Sequence, residues 1–378
     1  MKRMLLLLLP TLVMVGLVTS CGGAAPAPTA KPAAPAPTAA PAVQPTAAAA
    51  APAPTTAPAA PTKAAAAPAK RATVALVPGG PHPYFDPWKP GLADALKDFG
   101  IPKGEFRSPQ EWTLNAQNQV IDSMVAQGFN AFGIFPGDVN GSNGKVDELA
   151  AKGIPTLALA GPVNEPTKAV FCPTTDVGDS AYQATKYLIQ AMGGKGRIVH
   201  GTGFLVDPNT QLRIKAVEKA VAETNGAVTL VQNLADIDDQ EKADKAINSF
   251  LAANKDKIDG FVTTAYVPTV VAATALRNIG DKRIKMVGID DDKIVLDAIK
   301  DGFVYGTMAQ NPYGQAYVGA YVLDLLVQGW KKKPGAPFKI NSGTLLISAK
   351  NLTTYPNDLK EITKKLQGSF KNLYLVAP

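Results

Sequence analysis

Charged, amide and aromatic side chains follow several short apolar runs of this chain, where they could bind hydroxyl groups. Asp290 and Arg213 offer a carboxylate and a guanidinium, which form charge-assisted hydrogen bonds to hydroxyls. Gln310 offers both a donor and an acceptor, and the rings of Tyr84 and Phe85 offer an apolar floor for aliphatic C–H faces. These residue types are suited to holding a sugar or polyol.

A catalytic interpretation of the polar residues meets two obstacles. A Ser-His-Asp hydrolase needs a placed histidine, but the chain has two histidines, His82 and His200, and no Gly-x-Ser-x-Gly elbow. Asp290, Asp291 and Asp292 are adjacent, so their carboxylates cannot easily point to one metal ion, and no histidine ligand pair accompanies them. We therefore expect a binding protein and not an enzyme, with no catalytic residue and no metal.

Glycine-rich segments that could bind a nucleotide are incomplete or misplaced. The Gly-Thr-Gly segment at 201–203 follows a predicted strand but lacks the third glycine of a dinucleotide fingerprint. The glycines at 193–196 precede a strand, whereas a phosphate-binding loop follows one. No cofactor is therefore expected.

The elements that must position these residues alternate regularly along the chain. Short apolar, β-branched runs predict strands at 72–77, 131–135, 156–160, 197–200, 228–233, 260–264, 285–289 and 304–309. Segments with helical periodicity predict helices at 89–98, 116–127, 144–152, 179–192, 211–224, 240–254, 269–278 and 293–300. This alternation predicts an α/β fold built from βαβ units and parallel sheets.

Ligands of parallel sheets bind beyond the carboxyl ends of the strands, which adds candidates from the loops. Trp112 precedes a predicted helix, Asp138 follows the strand that ends at Phe135, and Tyr266 follows the strand that ends at Thr264. For Asp138 the structural alternative is a role as a turn former, because Gly-Asp pairs are frequent in turns.

Five segments carry a resemblance to a known family. They are Ile121 to Gly128, Lys152 to Pro155, Val287 to Asp290, Ala298 to Gly302 and Ala309 to Gly314. In their order and spacing they resemble the type I periplasmic binding proteins of the ribose-binding family, from residue 72 to 350. The resemblance implies two Rossmann-like lobes and a three-crossover hinge near 172–175, 309–312 and 340–343.

Individual site residues follow from this resemblance. The polar-Pro-aromatic-aromatic pattern of the first loop matches His82 to Phe85, the arginine after the Gly-Thr-Gly loop matches Arg213, the strand-end aspartate matches Asp290, and the hinge glutamine matches Gln310. Structural alternatives stay open, since Phe85 could be core, Asp290 a helix N-cap and Arg213 a surface cation.

The sequence also departs from the family pattern. Gly161-Pro162 replaces an Asp-Arg pair that many members carry, Ala265-Tyr266 replaces an asparagine, and a longer segment holds Trp112. We therefore expect the scaffold of the family with a ligand that need not be ribose.

The resemblance implies how the chain divides into two lobes and what they do together. We expect the N-terminal lobe to comprise 71–172 plus 311–340, and the C-terminal lobe 173–310 plus 341–378. The implied function is capture of a small polar solute by hinge closure and delivery to an ABC transporter permease, by a monomer. The alternative is a ligand-sensing module that presents its solute to a membrane receptor.

The first residues predict export. Lys2 and Arg3 precede an apolar run that Pro10 interrupts and that is short for a membrane span, so 1–20 is interpreted as a signal peptide. Small residues before Cys21 resemble a lipobox, which implies lipidation of Cys21 and an extracytoplasmic protein anchored to the membrane by lipid. An ordinary cleavage site with an incidental cysteine is the alternative.

Residues 21–70 are almost entirely Ala, Pro and Thr, which predicts a semi-rigid tether. Five cations and no acidic residue precede residue 71, so the net charge of +7 falls to +2 once those five are set aside. A nucleic-acid partner is therefore not expected. Cys172 is interpreted as a small buried hydrophobe, although a lone thiol could also be reactive.

Overall fold

The first sheet lies near the start of the described chain. A computed structural model describes residues 70–205 and 207–378. Its first four strands are β1 (Thr73–Val77), β2 (Lys103–Phe106), β3 (Ala131–Ile134) and β4 (Thr156–Ala158). They form a parallel sheet in the order β2-β1-β3-β4. Strands β1 and β3 are buried almost throughout, as expected for a parallel sheet covered by helices on both faces.

The second sheet has six strands. The short strand β5 (Cys172–Thr174) stands between the two sheets in sequence, and the members are β6 (Gly196–Gly201), β7 (Val228–Leu234), β8 (Gly260–Thr263), β9 (Lys285–Ile289), β10 (Gly306–Ala309) and β13 (Leu345–Ile347). Their order is β13-β10-β9-β8-β6-β7, and only β13 of these six runs antiparallel to its neighbour.

Helices cover both sheets. They are α1 (Trp88–Phe99), α2 (Leu114–Ala126), α3 (Ser142–Ala151), α4 (Val177–Ala191), α5 (Pro208–Ala222), α6 (Gln240–Asn254), α7 (Tyr266–Ile279), α8 (Lys293–Lys300), α9 (Pro312–Val327) and α10 (Tyr355–Tyr374). We call the four-stranded sheet with α1, α2, α3 and α9 the first lobe, and the six-stranded sheet with α4 to α8 the second lobe. Each lobe has its own hydrophobic core.

The predicted elements are present, each within three residues of its predicted bounds, and the α/β fold class with parallel sheets is confirmed. Helix α9 was missed. Eleven of its sixteen residues are buried, including Tyr317, Leu323 and Asp324. A helix buried all round shows no polar face, so its sequence carries no helical periodicity.

The segments that connect the lobes are tied to one another. Strand β5 pairs in parallel with β12 (Lys339–Asn341), and Ser342 N donates to Thr174 O over 2.8 Å. In the segment that connects β10 to α9, Asn311 Nδ2 donates to Ser342 O over 2.9 Å. The Oδ1 atom of Asn311 accepts from Gly314 N and so caps α9. These contacts lie at the three predicted crossovers.

The carboxyl-terminal helix returns to the first lobe. Phe370 and Leu375 lie in the same core as Leu76 and Trp88, and Phe370 packs 5.2 Å from Phe171. Strand β14 (Leu375–Val376) also pairs with β11 (Lys331–Lys332). This packing differs from the predicted division, which gave 341–378 to the C-terminal lobe as a whole; the other lobe boundaries stay a prediction.

The predictions for residues 1–20, Cys21 and most of the tether fall outside the described residues. Within the described ranges, no helix is both long and apolar enough to cross a membrane. Cys172 is fully buried, and burial raises the pKa of its thiol to about 12, which agrees with the interpretation as a small hydrophobe.

Candidate functional site

The loop after β1 forms a short 3-10 helix at Pro83–Phe85. His82 caps it, because the Nδ1 atom accepts a hydrogen bond of 3.1 Å from the backbone N–H of Tyr84. The neutral imidazole therefore carries its proton on Nε2. Burial lowers the pKa of His82, and the negative charges of Asp238 and Asp86 oppose this shift.

Aromatic rings cover the carboxyl ends of the first sheet. Phe85 is 2% exposed and packs 5.0 Å from Trp88 and 5.2 Å from Phe135, so it belongs to the core. Trp112 is 45% exposed and lies on Gly79 and Gly80, where a Cβ would come within 3.0 Å of the indole ring. Glycines are required at both positions for this ring to lie flat across the strand ends.

Buried amide groups hold these loops in place. Gln117 Nε2 donates to Pro78 O over 2.9 Å and to Phe135 O over 2.6 Å, and its Oε1 accepts from Gly137 N. The Trp112 indole N–H donates to Gly137 O over 3.1 Å. The loops that follow β1, β2 and β3 are thus locked together.

Asp138 lies at the edge of these loops, and its side chain forms hydrogen bonds within its own turn. Its Oδ1 accepts hydrogen bonds of 2.8 Å from the backbone N–H groups of Asn140 and Gly141. The exposed side chain therefore forms the turn that the sequence allowed as an alternative, and a role in ligand binding stays a prediction.

Asp290 is the most constrained residue of the second wall. It follows β9 with a φ of +66°, a left-handed conformation that non-glycine residues rarely adopt. Its Oδ1 accepts from Gln310 Nε2 over 2.9 Å, and its carbonyl accepts from Thr307 Oγ1 over 2.7 Å. Burial raises the pKa of the Asp290 carboxyl to about 7, although Gln310 and Arg213 oppose the shift.

The alternative role of Asp290 as a helix cap is filled by another residue. Asp292 Oδ1 accepts from Ile294 N over 2.7 Å and caps α8. Asp292 Oδ2 accepts from the Tyr266 hydroxyl over 2.6 Å, which fixes the tyrosine ring at the start of α7. The carboxylates of Asp290 and Asp292 therefore serve different partners.

Arg213 lies on α5 with a half-buried side chain. Its Nε is buried and has no hydrogen-bond partner among the described residues. The guanidinium charge opposes the raised pKa values of Tyr84, Asp238 and Asp290. A buried guanidinium donor without a partner is costly, so a ligand oxygen is the natural acceptor.

Asp238 belongs to this wall and was missed from the sequence. Its Oδ1 accepts from Val267 N over 3.2 Å, and burial raises the pKa of its carboxyl while His82 and Arg213 oppose the shift. The neighbour Asp239 caps α6 through Lys242 N. The three aspartates at 236, 238 and 239 were the available signal, but they do not reveal which member caps and which faces the cleft.

A buried polar network lies beneath this wall. His200 is fully buried between Asn233 and Thr264, each 2.7 Å from one ring nitrogen, and Thr264 Oγ1 lies 2.9 Å from Thr202 Oγ1. Burial lowers the pKa of His200 to about 4, so the ring is neutral at physiological pH. This histidine supports the strand ends and is not free to act as a base.

The two walls face each other across a cleft. The His82 and Tyr266 rings, one from each lobe, meet edge to face at 5.4 Å. The pKa of Tyr84 is raised by burial and then by the charge of Asp290, although the Tyr84 hydroxyl donates to Gln315 in its own lobe. Phe85 is packed in the core and Asp138 forms a turn at the rim. The other predicted ligand residues belong to the two walls, and the role of each in binding stays a prediction: His82, Tyr84, Trp112, Arg213, Tyr266, Asp290 and Gln310.

The arrangement offers donors, acceptors and rings, which suits binding. Among residues 70–205 and 207–378, no cluster of three His, Cys, Asp or Glu side chains is placed to hold a metal ion. Arg213, Asp290 and Gln310 provide complementary groups for hydroxyls.

The sequence of this chain matches a known protein family. The sequence pattern of the family described as "Periplasmic binding protein domain" matches residues 74–331. A xylitol-binding protein of Mycolicibacterium smegmatis is 29% identical over 219 residues, which are 57% of this chain and 61% of that protein. The match thus spans less than two thirds of the relative's length.

Solved structures share the fold at low sequence identity. An ABC transporter solute-binding protein of Burkholderia graminis in complex with D-arabinose has a TM-score of 0.67 at 22% identity, covering 76% of this chain and 99% of that chain. A periplasmic solute-binding protein of Actinobacillus succinogenes with bound D-allose has a TM-score of 0.68 at 18% identity, covering 75% and 100%. The predicted type I periplasmic binding fold is confirmed.

Proposed function

Because this chain belongs to the periplasmic binding protein family, we propose that it captures a small polyhydroxylated solute, a sugar or sugar alcohol, between its two lobes. The xylitol-binding relative and the solved structures with bound D-arabinose and D-allose support this class of solute. The family consists of binding proteins, so the proposed activity is capture and release without chemistry on the solute.

One observation of the cleft carries the proposal. The buried Nε of Arg213 lacks a partner among the described residues, although the guanidinium lies in the electrostatic field of Asp238 and Asp290. Hydroxyl groups both donate and accept, so one polyol can satisfy this guanidinium and the carboxylates together. The exposed face of Trp112 supplies an apolar contact for the carbon skeleton.

Closure of the lobes provides the coupling to transport. A solute that contacts both walls stabilises the closed arrangement, in which His82 and Tyr266 meet, over an open one. The bending points are the connecting segments at Thr174, Asn311 and Ser342, a hinge of the kind found in such proteins.

Delivery and attachment extend the proposal to the rest of the chain. The closed form would present both lobes to an ABC transporter permease, and a lipid on Cys21 would hold the protein at the outer face of a membrane. Presentation of the same closed form to a receptor is the alternative, and uptake of labelled solute in cells with and without the gene separates transport from sensing.

A thermal-shift screen tests solute capture. Pentoses, hexoses, sugar alcohols and nucleosides are added one at a time to the purified protein. A solute at 100 times its dissociation constant should add about 2.7 kcal/mol of stability. If no polyhydroxylated solute raises the melting temperature, the proposed function is wrong.

A further inference from the structure

The two walls of the cleft differ in chemistry. On the first lobe, the rings that cover the strand ends pack on one another: Trp112 is 6.1 Å from Phe85 and 5.7 Å from Phe135. The carboxylate of Asp138 in this region is exposed and holds two backbone N–H groups of its own turn.

The segment after β4 adds to the apolar character of this wall. Ala160 adopts a φ of +63°, and a Cβ on the next residue, Gly161, would come within 2.9 Å of the Phe135 ring. A side chain at Gly161 would displace that ring. Glycine at position 161 thus leaves the room that the Phe135 ring occupies.

The second lobe carries more of the polar groups, whereas His82 of the first lobe caps its own 3-10 helix and contacts the Tyr266 ring. Arg213, Asp238, Asp290 and Gln310 bring a guanidinium, two carboxyls and an amide to one side of the cleft. Hydroxyls on that side gain strong partners, whereas a hydroxyl pressed against the aromatic wall loses water without replacement.

We infer that the solute is amphipathic: its hydroxyl-bearing edge faces the second lobe and a hydroxyl-free hydrocarbon edge faces Trp112 and Phe135, as in a deoxy sugar or deoxy polyol. This inference rests on the proposed function. In a deoxy sugar this hydrocarbon edge is a methyl group. Burial of a methyl group against the rings is favourable in itself.

Calorimetric titration of matched solute pairs tests the inference. The pairs are D-galactose with D-fucose, L-mannose with L-rhamnose, and D-arabinose with 5-deoxy-D-arabinose, in which the second member lacks one terminal hydroxyl. In at least one pair that binds, the deoxy member should bind tenfold or more tightly than its parent. If solutes bind but every parent equals or exceeds its deoxy partner, the inference is overturned while the proposed function stands.

A substitution in the aromatic wall tests independently whether this wall causes the preference for the deoxy solute. Trp112→Gln places a hydrogen-bonding group on this wall and should reduce the preference for the deoxy member at least fivefold. The matched control is Trp330→Gln, a partly buried indole outside the cleft over which Lys371 Nζ lies at 4.2 Å, and the preference should be unchanged. Unliganded melting curves check that both variants fold. An unchanged preference in folded Trp112→Gln would overturn the inference.

Discussion

Gln310 Nε2 donates a hydrogen bond of 2.9 Å to Oδ1 of Asp290, and both side chains are buried at the edge of the second lobe that faces the cleft. The bond holds the Asp290 carboxyl group in place, and Asp290 itself has a left-handed backbone conformation with a φ of +66°. Such a strained conformation is retained where the surrounding structure imposes it, which is typical of binding sites. Gln310 also lies next to the crossover residue Asn311, so the orientation of Asp290 is linked to the hinge.

Asp290 and Arg213 should each contribute to the binding free energy. Replacing one partner of a buried charge-assisted bond should cost about 1.5–3 kcal/mol, a loss of ten- to a hundredfold in affinity. Calorimetric titration of Asp290→Asn and Arg213→Met with the solute found by screening measures this loss. Lys350→Met, which removes an exposed cation elsewhere, is the control. Parent-like affinity in both cleft variants would contradict the site.

Asp290 should also make the unliganded fold less stable at high pH. Its folded pKa of about 7 lies above 3.8, the ordinary value of an aspartate, so the protonated form is favoured by folding. The stability from this group is present below pH 3.8 and is lost as pH rises through about 7. Asp290→Asn should therefore exceed the parent in unfolding free energy above pH 7, by at most about 4 kcal/mol at 1.36 kcal/mol per pKa unit.

The measurement is urea unfolding of parent and Asp290→Asn from pH 4 to pH 8. Asparagine tolerates the left-handed backbone, so the substitution adds little strain. Contributions of His82 and Asp238 occur in both proteins and largely cancel in the difference. Asp256→Asn, at an exposed position, is the control; a difference that does not grow with pH would contradict the prediction.

His82 and Asp238 should be coupled across the cleft in solution. The charge of Asp238 raises the pKa of His82 against the lowering effect of burial, so Asp238→Asn should lower that pKa further. The chain has two histidines, and His200 is buried with a pKa of about 4, so an NMR titration separates the two signals. Asp86→Asn should produce a smaller decrease. An unchanged His82 pKa in Asp238→Asn would mean that the lobes are apart under those conditions.

Deletion of Gly22 to Lys70 should leave solute affinity unchanged, because the cleft contacts seen among the described residues come from residues after 71. Affinity by calorimetry and melting temperature are compared between the protein with and without this segment. A loss of more than about tenfold, or roughly 1.4 kcal/mol, would mean that these residues take part in the fold.

Cys21→Ala should prevent lipidation, because the thiol is the proposed acylation site. The variant expressed in its host should remain in the aqueous phase when cells are partitioned with Triton X-114, whereas the parent enters the detergent phase. Replacement of Cys172, which is buried in the first lobe, serves as the cysteine control. Detergent partitioning of Cys21→Ala like that of the parent would contradict the lipid anchor.

The sequence by itself determined the alternation of strands and helices, and with it the fold class, because each surface helix shows an apolar stripe and each central strand an apolar run. It also indicated Asp290 and Gln310, since both directly follow strands whose carboxyl ends form the cleft. Helix α10 could have been predicted too, because Leu359, Thr363, Leu366 and Phe370 recur at helical spacing.

Only the tertiary structure decided what each polar residue does. Asp238 and Asp239 are adjacent and chemically identical, yet one faces the cleft and the other caps α6. Helix α9 has no polar face in its sequence because it is buried on all sides, and the return of Phe370 to the first lobe depends on its packing against Phe171. Such assignments arise from contacts between residues distant along the chain, which local composition and spacing do not encode.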